Sequence, residues 1–180
     1  MPPEKFVIHV SGPICAGKST FINAIGARFP GSYLIEYDKL KRQLFGYQRT
    51  REDHREIIRR FQWGLLELAC EQSLPVITGV FLHDEEEYGR FMNITKRYGY
   101  EKRVFVRLTA PQDVLLERFR ARVKHAKETG AWLSLDDESV FLSIISSPKR
   151  SLIPPGTPVF DTSVTNAEAI ADDIARKLSA

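Results

Sequence analysis

The sequence predicts an α/β domain of three layers, with helices on both faces of a parallel sheet. Short apolar runs alternate with longer segments of helical spacing along most of the 180 residues. The runs are apolar throughout, which is typical of parallel strands buried between two helical layers. The length fits one hydrophobic core, and no repeat or linker divides residues 1–180, so we predict a single domain.

Five runs are predicted to be strands because they are rich in Val, Ile, Phe and Tyr and are bounded by breakers. They cover residues 5–10, 33–37, 74–81, 103–108 and 157–162. Apolar residues at helical spacing predict helices at 18–28, 51–73, 85–98, 111–127 and 166–179. In the second of these helices, the apolar positions that carry the pattern are Ile57, Phe61, Leu65, Leu68 and Ala69.

Composition excludes several classes of protein. Hydrophobic residues make up 43% and charged residues 27% of the chain, as in globular rather than disordered proteins. No apolar run reaches the roughly 18 residues that span a bilayer, and the first residues do not form a signal peptide, so we expect a cytoplasmic protein without a membrane partner. Cys15 and Cys70 lack the spacing of a disulfide framework or a metal site and are expected to be free thiols.

Charge and loop length are both uneven along the chain. Residues 39–60 contain eight Lys or Arg against three Asp or Glu, which indicates either a surface for an anionic ligand or a solvated helix face. Residues 124–158 form a long irregular segment with one short predicted helix at 137–146. A segment of this length is either a lid over a site or a helical decoration without motion.

The most specific motif is the glycine loop that follows the first predicted strand. Gly12 to Ser19 satisfies G-x4-G-K-[ST] and opens a predicted helix, the context in which backbone amides cradle phosphates. Lys18 then reaches the β- and γ-phosphates, and the Ser19 hydroxyl can ligate Mg²⁺. The predicted nucleotide-binding residues are Gly12, Pro13, Ile14, Cys15, Ala16, Gly17, Lys18, Ser19 and Thr20.

Two further clusters indicate what the loop is used for. Asp38 follows the predicted strand 33–37 and is expected to emerge beside the glycine loop, where it can act as a general base, hold a Mg²⁺ water or cap a helix. Arg42 lies on the same helical face and could bind an acceptor. Arg118 and Arg122 share one edge of the helix 111–127, either as a pair that closes over the transferred phosphoryl group or as a surface face.

The combination of GPICAGKST, EYDKLKRQLFG, ERFRAR and FDTS resembles the small P-loop kinases, especially the zeta-toxin-like and polynucleotide-kinase-like branch of the P-loop NTPases. The resemblance implies five parallel strands in the order 2-3-1-4-5, with ATP as a substrate and Mg²⁺ as its counterion. It also implies roles for the site residues: Lys18 and Ser19 hold phosphate and Mg²⁺, Asp38 is the base, Arg42 contacts the acceptor, Arg118 and Arg122 are lid arginines. The loop after the last strand is implied to lie near the adenine.

One departure concerns the end of the third predicted strand, where many P-loop proteins carry an aspartate that holds a Mg²⁺ water. Here the strand ends in Thr78 and Gly79, so Asp38 could be the base, the metal-water ligand or both.

Three functions fit these observations. The leading hypothesis is an ATP-dependent kinase that phosphorylates a hydroxyl of a small anionic metabolite. The alternatives are a polynucleotide 5′-hydroxyl kinase, which requires the basic segment to follow a nucleic-acid backbone, and a regulatory ATPase without an acceptor. Nothing in the sequence indicates the oligomeric state, or a choice between ATP and GTP.

Overall fold

The computed structural model describes residues 5–147, 152 and 154–179. Five parallel strands form one sheet in the order β2-β3-β1-β4-β5, which confirms the predicted architecture. The strands are β1 (Phe6–Ser11), β2 (Tyr33–Ile35), β3 (Val76–Thr78), β4 (Lys102–Thr109) and β5 (Val159–Asp161). The outer strands and β3 are shorter than the predicted runs, because only part of each apolar run pairs with a neighbour.

Seven helices alternate with these strands in the described part of the chain. They are α1 (Lys18–Arg28), α2 (Tyr37–Gln43), α3 (Glu52–Glu71), α4 (Glu85–Arg97), α5 (Gln112–Thr129), α6 (Glu138–Ile145) and α7 (Ala167–Ser179). None of them is long and apolar enough to cross a membrane. The helices of the predicted pattern are all present, and α2 is the short helix that Asp38 was expected to enter.

The central strand β1 supplies both hydrophobic cores through its two faces. Phe6, Ile8 and Val10 pack with α1, α5, α6 and α7 on one side of the sheet. Val7 points to the other side, where α3 and α4 pack. All of β1 is buried, which explains why its sequence is apolar throughout rather than alternating. Helices therefore cover both faces of the sheet, as predicted.

Helix α3 is present as predicted, but the face it buries differs from the apolar pattern that predicted it. Ile57, Phe61 and Leu68 are exposed, and only Ala69 of the predicted stripe is fully buried. The buried face consists of Ile58, Gln62, Trp63, Leu66, Ala69 and Cys70. Both arcs of this helix carry apolar residues, and the position of the sheet decides which of them is covered.

Hydrogen bonds define two further local features of the fold. Asp84 caps α4 by accepting from the Glu87 amide at 2.9 Å, and the Glu87 carboxylate accepts from the His83 amide at 2.6 Å. These two bonds satisfy backbone amides at the start of α4, so the acids stabilise the helix start. His9 is a core residue whose Nε2 lies 2.7 Å from the Val80 carbonyl oxygen, and burial lowers its pKa to about 4.

The irregular segment 124–158 is partly helical. Its first residues continue α5 to Thr129, and α6 confirms the short helix predicted within it. Phe141 of α6 stacks on Phe119 of α5 with ring centroids 4.3 Å apart, which anchors the segment to the core. Residues 148–151 and 153 of the predicted lid lie outside the described residues, so its role as a lid stays a prediction.

Gly12→Ala is expected to lower the free energy of unfolding by about 3 kcal/mol. A Cβ at this position would lie 2.3 Å from the Leu108 carbonyl oxygen of β4, and Gly12 has a φ of +145° that other residues rarely adopt. Urea denaturation measures the change. The control is Gly64→Ala in α3, where a Cβ meets nothing within 4 Å. That variant should gain up to about 1 kcal/mol, and an equal loss in both variants would contradict the argument.

Candidate active site

A single large cleft lies at the carboxyl edge of the sheet. Its volume is about 1800 Å³, larger than the roughly 300–1000 Å³ of a pocket for one small ligand. The glycine loop, α2, the loop after β3, one edge of α5 and the loop after β5 all line it. The cleft therefore has room for a nucleotide and a second substrate, and all the predicted site residues from Gly12 to Arg122 line it except Ala16, which is buried.

The glycine loop turns sharply between β1 and α1. Gly12 packs against the backbone of β4, and Gly17, with a φ of 82°, precedes the first residue of α1. Ala16 is fully buried, and Cys15 has a positive φ of 65° within the bend. These conformations direct the loop's backbone around the amino end of α1, where unpaired amides and the helix dipole favour an anion.

Lys18 lies within this loop and is half-buried. Its ammonium donates hydrogen bonds to the carbonyl oxygens of Gly12 at 2.9 Å and Pro13 at 2.7 Å. Burial lowers the pKa of Lys18 to about 8, although the Asp38 carboxylate opposes this shift. The ammonium is therefore held at the loop in a position to meet an anion, which would restore its ordinary pKa.

Asp38 lies in the first turn of α2 and forms an ion pair with Lys41. The Lys41 Nζ is 2.7 Å from Asp38 Oδ1, and the Lys41 side chain is only 8% exposed. Burial raises the pKa of Asp38, but the charges of Lys41, Arg122 and Lys18 outweigh this effect and leave the pKa below its usual value. Asp38 is therefore ionised at neutral pH. The ammonium of Lys41 also lies 4.3 Å from the centroid of the Tyr37 ring.

The outer part of the cleft combines arginines with aromatic rings. The Arg42 guanidinium lies 5.9 Å from the centroid of Trp132, a residue of the segment between α5 and α6. Trp132 also meets Tyr47 edge-on at 6.3 Å, so this segment contacts the loop after α2 across the cleft. Arg49 lines the same region and forms no salt bridge with another described residue.

The two arginines of α5 lie in the cleft but have different partners. Arg118 donates to the Thr162 hydroxyl at 2.8 Å, to the Thr162 carbonyl oxygen at 2.7 Å and to the Cys15 carbonyl oxygen at 3.4 Å. It therefore joins the glycine loop to the loop after β5. Arg122 lies beside the Cys15 thiol. Its positive charge also contributes to lowering the pKa of Lys18 and of Asp38.

β3 ends in Thr78, and Glu36 directly follows β2. Thr78 is buried, and its hydroxyl accepts a hydrogen bond from the Val80 amide at 3.1 Å. Glu36 lines the cleft, is 6% exposed, and its Oε1 forms an ion pair with the Lys39 ammonium. The Thr78 hydroxyl, which stands where many P-loop proteins have an aspartate, is thus engaged in its own turn, and the buried carboxylate follows the neighbouring strand.

The cleft is strongly cationic. Among the described residues that line it, ten are Lys or Arg and two, Glu36 and Asp38, are acidic. Six of the ten come from the basic segment: Lys39, Lys41, Arg42, Arg49, Arg55 and Arg59. Most of that segment's charge faces the cleft rather than forming a separate solvated surface.

Several of the groups present are oxygen donors of the kind that Mg²⁺ prefers. They are the exposed Ser19 hydroxyl at the start of α1 and the carboxylates of Asp38 and Glu36. The described part of the chain contains no cluster of three or more His, Cys, Asp or Glu that could hold a metal ion. The donor set suits an ion that is held jointly by a phosphate chain, water and a few protein oxygens.

Sequence reasoning missed Lys41, Glu36 and Trp132. Lys41 follows Asp38 by three residues, a spacing that brings two side chains together on a helix. Glu36 directly follows a strand, the usual place for a ligand-binding acid in such a sheet. No pattern in the sequence indicated Trp132, because its contacts with Arg42 and Tyr47 depend on how the long segment after α5 folds back.

Comparison with solved structures shows the same fold over nearly the whole chain. A candidate kinase from Chloroflexus aurantiacus J-10-fl has a TM-score of 0.74 and 19% identity, and covers 96% of this chain and 98% of its own. An APS kinase from Mycobacterium tuberculosis, in complex with AMPPNP and APS, has a TM-score of 0.67 and 14% identity, with 99% and 100% coverage. The Pnkp1/Rnl/Hen1 RNA repair complex matches with a TM-score of 0.60 and 15% identity, over 79% of this chain and 43% of that one.

Comparison with curated proteins gives no match. A protein-family profile described as an AAA domain matches residues 7–134, which contain the glycine loop, Asp38 and both arginines of α5. The chain therefore belongs to this AAA domain family, and its fold is that of the small P-loop kinases.

Proposed function

We propose that the protein is an ATP-dependent phosphotransferase that moves the γ-phosphoryl group to a hydroxyl of a small anionic metabolite. The observation that carries the proposal is the arrangement of one cleft. The glycine loop with Lys18, the ionised Asp38 and a wall of cations all line it, and its volume exceeds what one ligand needs. In phosphoryl transfer the protein mainly positions charged groups around the reacting atoms and forms no covalent bond to the substrate itself.

The nucleotide end of the cleft is formed by the glycine loop and the loop after β5. The loop amides and Lys18 would bind the β- and γ-phosphates, and Thr20 would bind the α-phosphate. Arg118 fixes the loop after β5 against the glycine loop through Thr162, so it would shape the site for the adenine of the nucleotide. Arg122 lines the cleft together with Lys18 and would neutralise charge on the transferred group.

Ser19 and the cleft carboxylates would hold the metal that accompanies the nucleotide. When bound, Mg²⁺ would offset the negative charge of the nucleotide phosphates. The Ser19 hydroxyl is exposed at the start of α1, where it can serve as a ligand without rearrangement of the helix. These residues fit Mg²⁺ in the chemistry of their oxygen atoms and in their position in the cleft.

Asp38 would accept the proton of the acceptor hydroxyl. As that oxygen bonds to the γ-phosphorus, the bond from the γ-phosphorus to the bridging oxygen breaks and ADP leaves, while the proton passes to the Asp38 carboxylate. The low pKa of Asp38 makes it a weak base, which a loose transition state tolerates because the attacking oxygen loses its proton late. Lys41 holds the carboxylate in place through Oδ1 and leaves Oδ2 for the acceptor.

The acceptor would lie between α2 and the segment that carries Trp132. Arg42 and Arg49 line this region without a carboxylate partner in the described part of the chain, so an anionic group on the acceptor would supply their counter-charge. A regulatory ATPase has no use for a second cationic region. A polynucleotide kinase does, and salt dependence distinguishes it from a kinase of small molecules.

Replacement of Asp38 by Asn is expected to reduce phosphoryl transfer by about 100- to 10,000-fold, because the proton acceptor is lost. The affinity for ATP should change by less than about threefold, since Asp38 is placed beyond the phosphate-binding loop. Single-turnover kinetics with labelled ATP measure transfer, and calorimetry measures affinity. Asp53→Asn is the matched control, because Asp53 pairs with Arg51 at an exposed site in the same basic segment. Unchanged transfer in the Asp38 variant would exclude the base role.

The affinity for ATP is expected to fall as the pH rises through about 8, because the Lys18 of the free protein loses its proton near that pH. Bound phosphates favour the ammonium form, so binding above pH 8 should take up to one proton, and the affinity should fall by up to about tenfold per pH unit. Calorimetry in buffers of different ionisation enthalpy detects the proton. Lys18→Arg, which keeps its charge at all these pH values, should abolish the uptake. A pH-independent affinity in the native protein would contradict this account.

A screen of hydroxyl compounds tests the acceptor class. Pairs of metabolites that differ only in one phosphate or carboxylate, together with 5′-hydroxyl oligonucleotides, are incubated with labelled ATP and Mg²⁺. We expect the anionic member of a pair to react with a kcat/KM at least about tenfold higher, the effect of one charge-assisted hydrogen bond. Arg49→Ala should reduce this preference, whereas Arg51→Ala, outside the cleft, should not.

Two outcomes of the screen would overturn the proposal. Preferential labelling of oligonucleotides, with a rate that falls steeply as salt is raised, would indicate the polynucleotide kinase. Hydrolysis of ATP at a rate that no hydroxyl compound changes would indicate the regulatory ATPase.

A further inference from the structure

The outward face of α3 carries an apolar seam that no described residue covers. The seam consists of Ile57, Phe61, Gly64 and Leu68, spaced four, three and four residues apart. Phe61 is 52% exposed, Leu68 53% and Ile57 39%. Large apolar side chains that line up on a surface in this way indicate an interface rather than scattered exposure. We therefore expect a partner at this seam.

The spacing of the seam fits a second copy of the same helix. Residues spaced four and three apart lie along one line of a helix, and at such positions two helices interlock. The spacing is the same when it is counted from either end. In an antiparallel pair Ile57 of one copy therefore meets Leu68 of the other, and Phe61 meets Gly64. A two-fold axis makes each of these contacts twice, as an isologous dimer requires.

Phe61 and Gly64 also match in shape. Gly64 is exposed, and a Cβ at that position would meet nothing within 4 Å, so the helix surface has a recess there. Its φ is not positive, so its backbone conformation does not require glycine, which lowers helix stability relative to alanine. In an antiparallel pair the Phe61 ring of each copy lies over the recess of the other. The close approach of a second helix accounts for the glycine.

Opposite charges beside the seam favour the antiparallel direction. Arg60 and Glu67 lie on the same flank, each one residue before a position of the seam. In an antiparallel pair this flank of one helix lies against the same flank of the other, so each Arg60 meets a Glu67. A parallel pair would place it against the other flank, where Leu65 lies, and no opposite charges would meet.

The charges on this flank can exchange their partners. Within the chain, Arg60 Nε lies 3.3 Å from Glu56 Oε1. Arg97 Nη1 lies 3.0 Å from Glu67 Oε1. All four side chains are between 40% and 80% exposed, and ion pairs of this kind contribute little because water screens them. Arg60 and Glu67 can therefore turn to a second copy at little cost.

We propose that the protein forms a symmetric dimer in which two α3 helices pack antiparallel along this seam. The inference goes beyond the reaction assigned to the cleft and does not depend on it. Arg55 and Arg59, the residues of α3 that line the cleft, lie on the opposite side of the helix, because each residue turns it by about 100°. Both clefts therefore stay open in the dimer, and turnover per chain should not depend on association.

Sedimentation velocity of the full chain at about 1 to 500 µM tests the dimer. A single pair of helices is a small interface, so we expect the native protein to be half dimeric at on the order of 10 to 100 µM. Phe61→Asp should weaken association at least about 30-fold, the effect of losing a central interface residue. Phe45→Asp is the matched control, because Phe45 is fully exposed outside α3 and its replacement should leave association unchanged.

Two charge variants test the direction of the helices. Arg60→Glu alone and Glu67→Arg alone each bring like charges together, so each should associate at least about tenfold more weakly than the native protein. Mixed in equal amounts, the two variants should associate with each other at close to the native affinity, because every acidic side chain then faces a basic one. A role for these charges within one chain would not produce this rescue.

The outcomes are distinct. A native protein that stays monomeric up to about 500 µM overturns the inference, as does association that Phe61→Asp leaves unchanged. Charge variants that do not rescue each other when mixed also overturn it. None of these results affects the proposed function, which is tested by phosphoryl transfer. Absence of transfer in a protein that does dimerise through α3 would overturn the proposed function alone.

Discussion

The close approach of the Gly12 backbone to the Leu108 carbonyl oxygen of β4 is the constraint on which the site depends. Because Gly12 has no side chain, its backbone can lie directly against β4, and β1 can turn at once into the glycine loop. Helix α1 then begins at Lys18 and is fixed in direction by Phe21 and Ile25, which are fully buried in the core. The direction of the loop amides is therefore set by the packing of the sheet, not by the loop alone.

The second constraint is electrostatic. The described lining of the cleft has ten cationic and two acidic side chains. The cations around Asp38 hold its pKa below the usual value against the effect of burial, whereas burial is the main cause of the lowered pKa of Lys18 and Lys41. A concentration of like charges favours the binding of anions, and the mutual repulsion of those charges lowers the stability of the free protein. The two carboxylates of the cleft have different neighbours: Asp38 is held by the buried Lys41, and Glu36 is paired with the exposed Lys39.

The long segment after α5 links the two ends of the cleft. Its helix α6 is anchored by Phe141 in the core, and Trp132 contacts the loop and helix that follow β2. The cleft is thus bounded by parts of the chain that lie far apart in sequence. Arg118, through Thr162 and Cys15, connects two further loops around the same space.

The sequence by itself determined the parallel sheet, the glycine loop, and the placement of Asp38 after a strand, because these follow from local patterns of apolar residues, glycine and strand ends. Only the tertiary structure decided which arc of α3 is buried, since Ile57 and Ile58 lie on two apolar arcs and periodicity cannot choose between them. It also decided the roles open to Glu36, Lys41 and Trp132. Their burial and contacts arise from chain segments that meet only in the folded sheet, and no local pattern encodes such meetings.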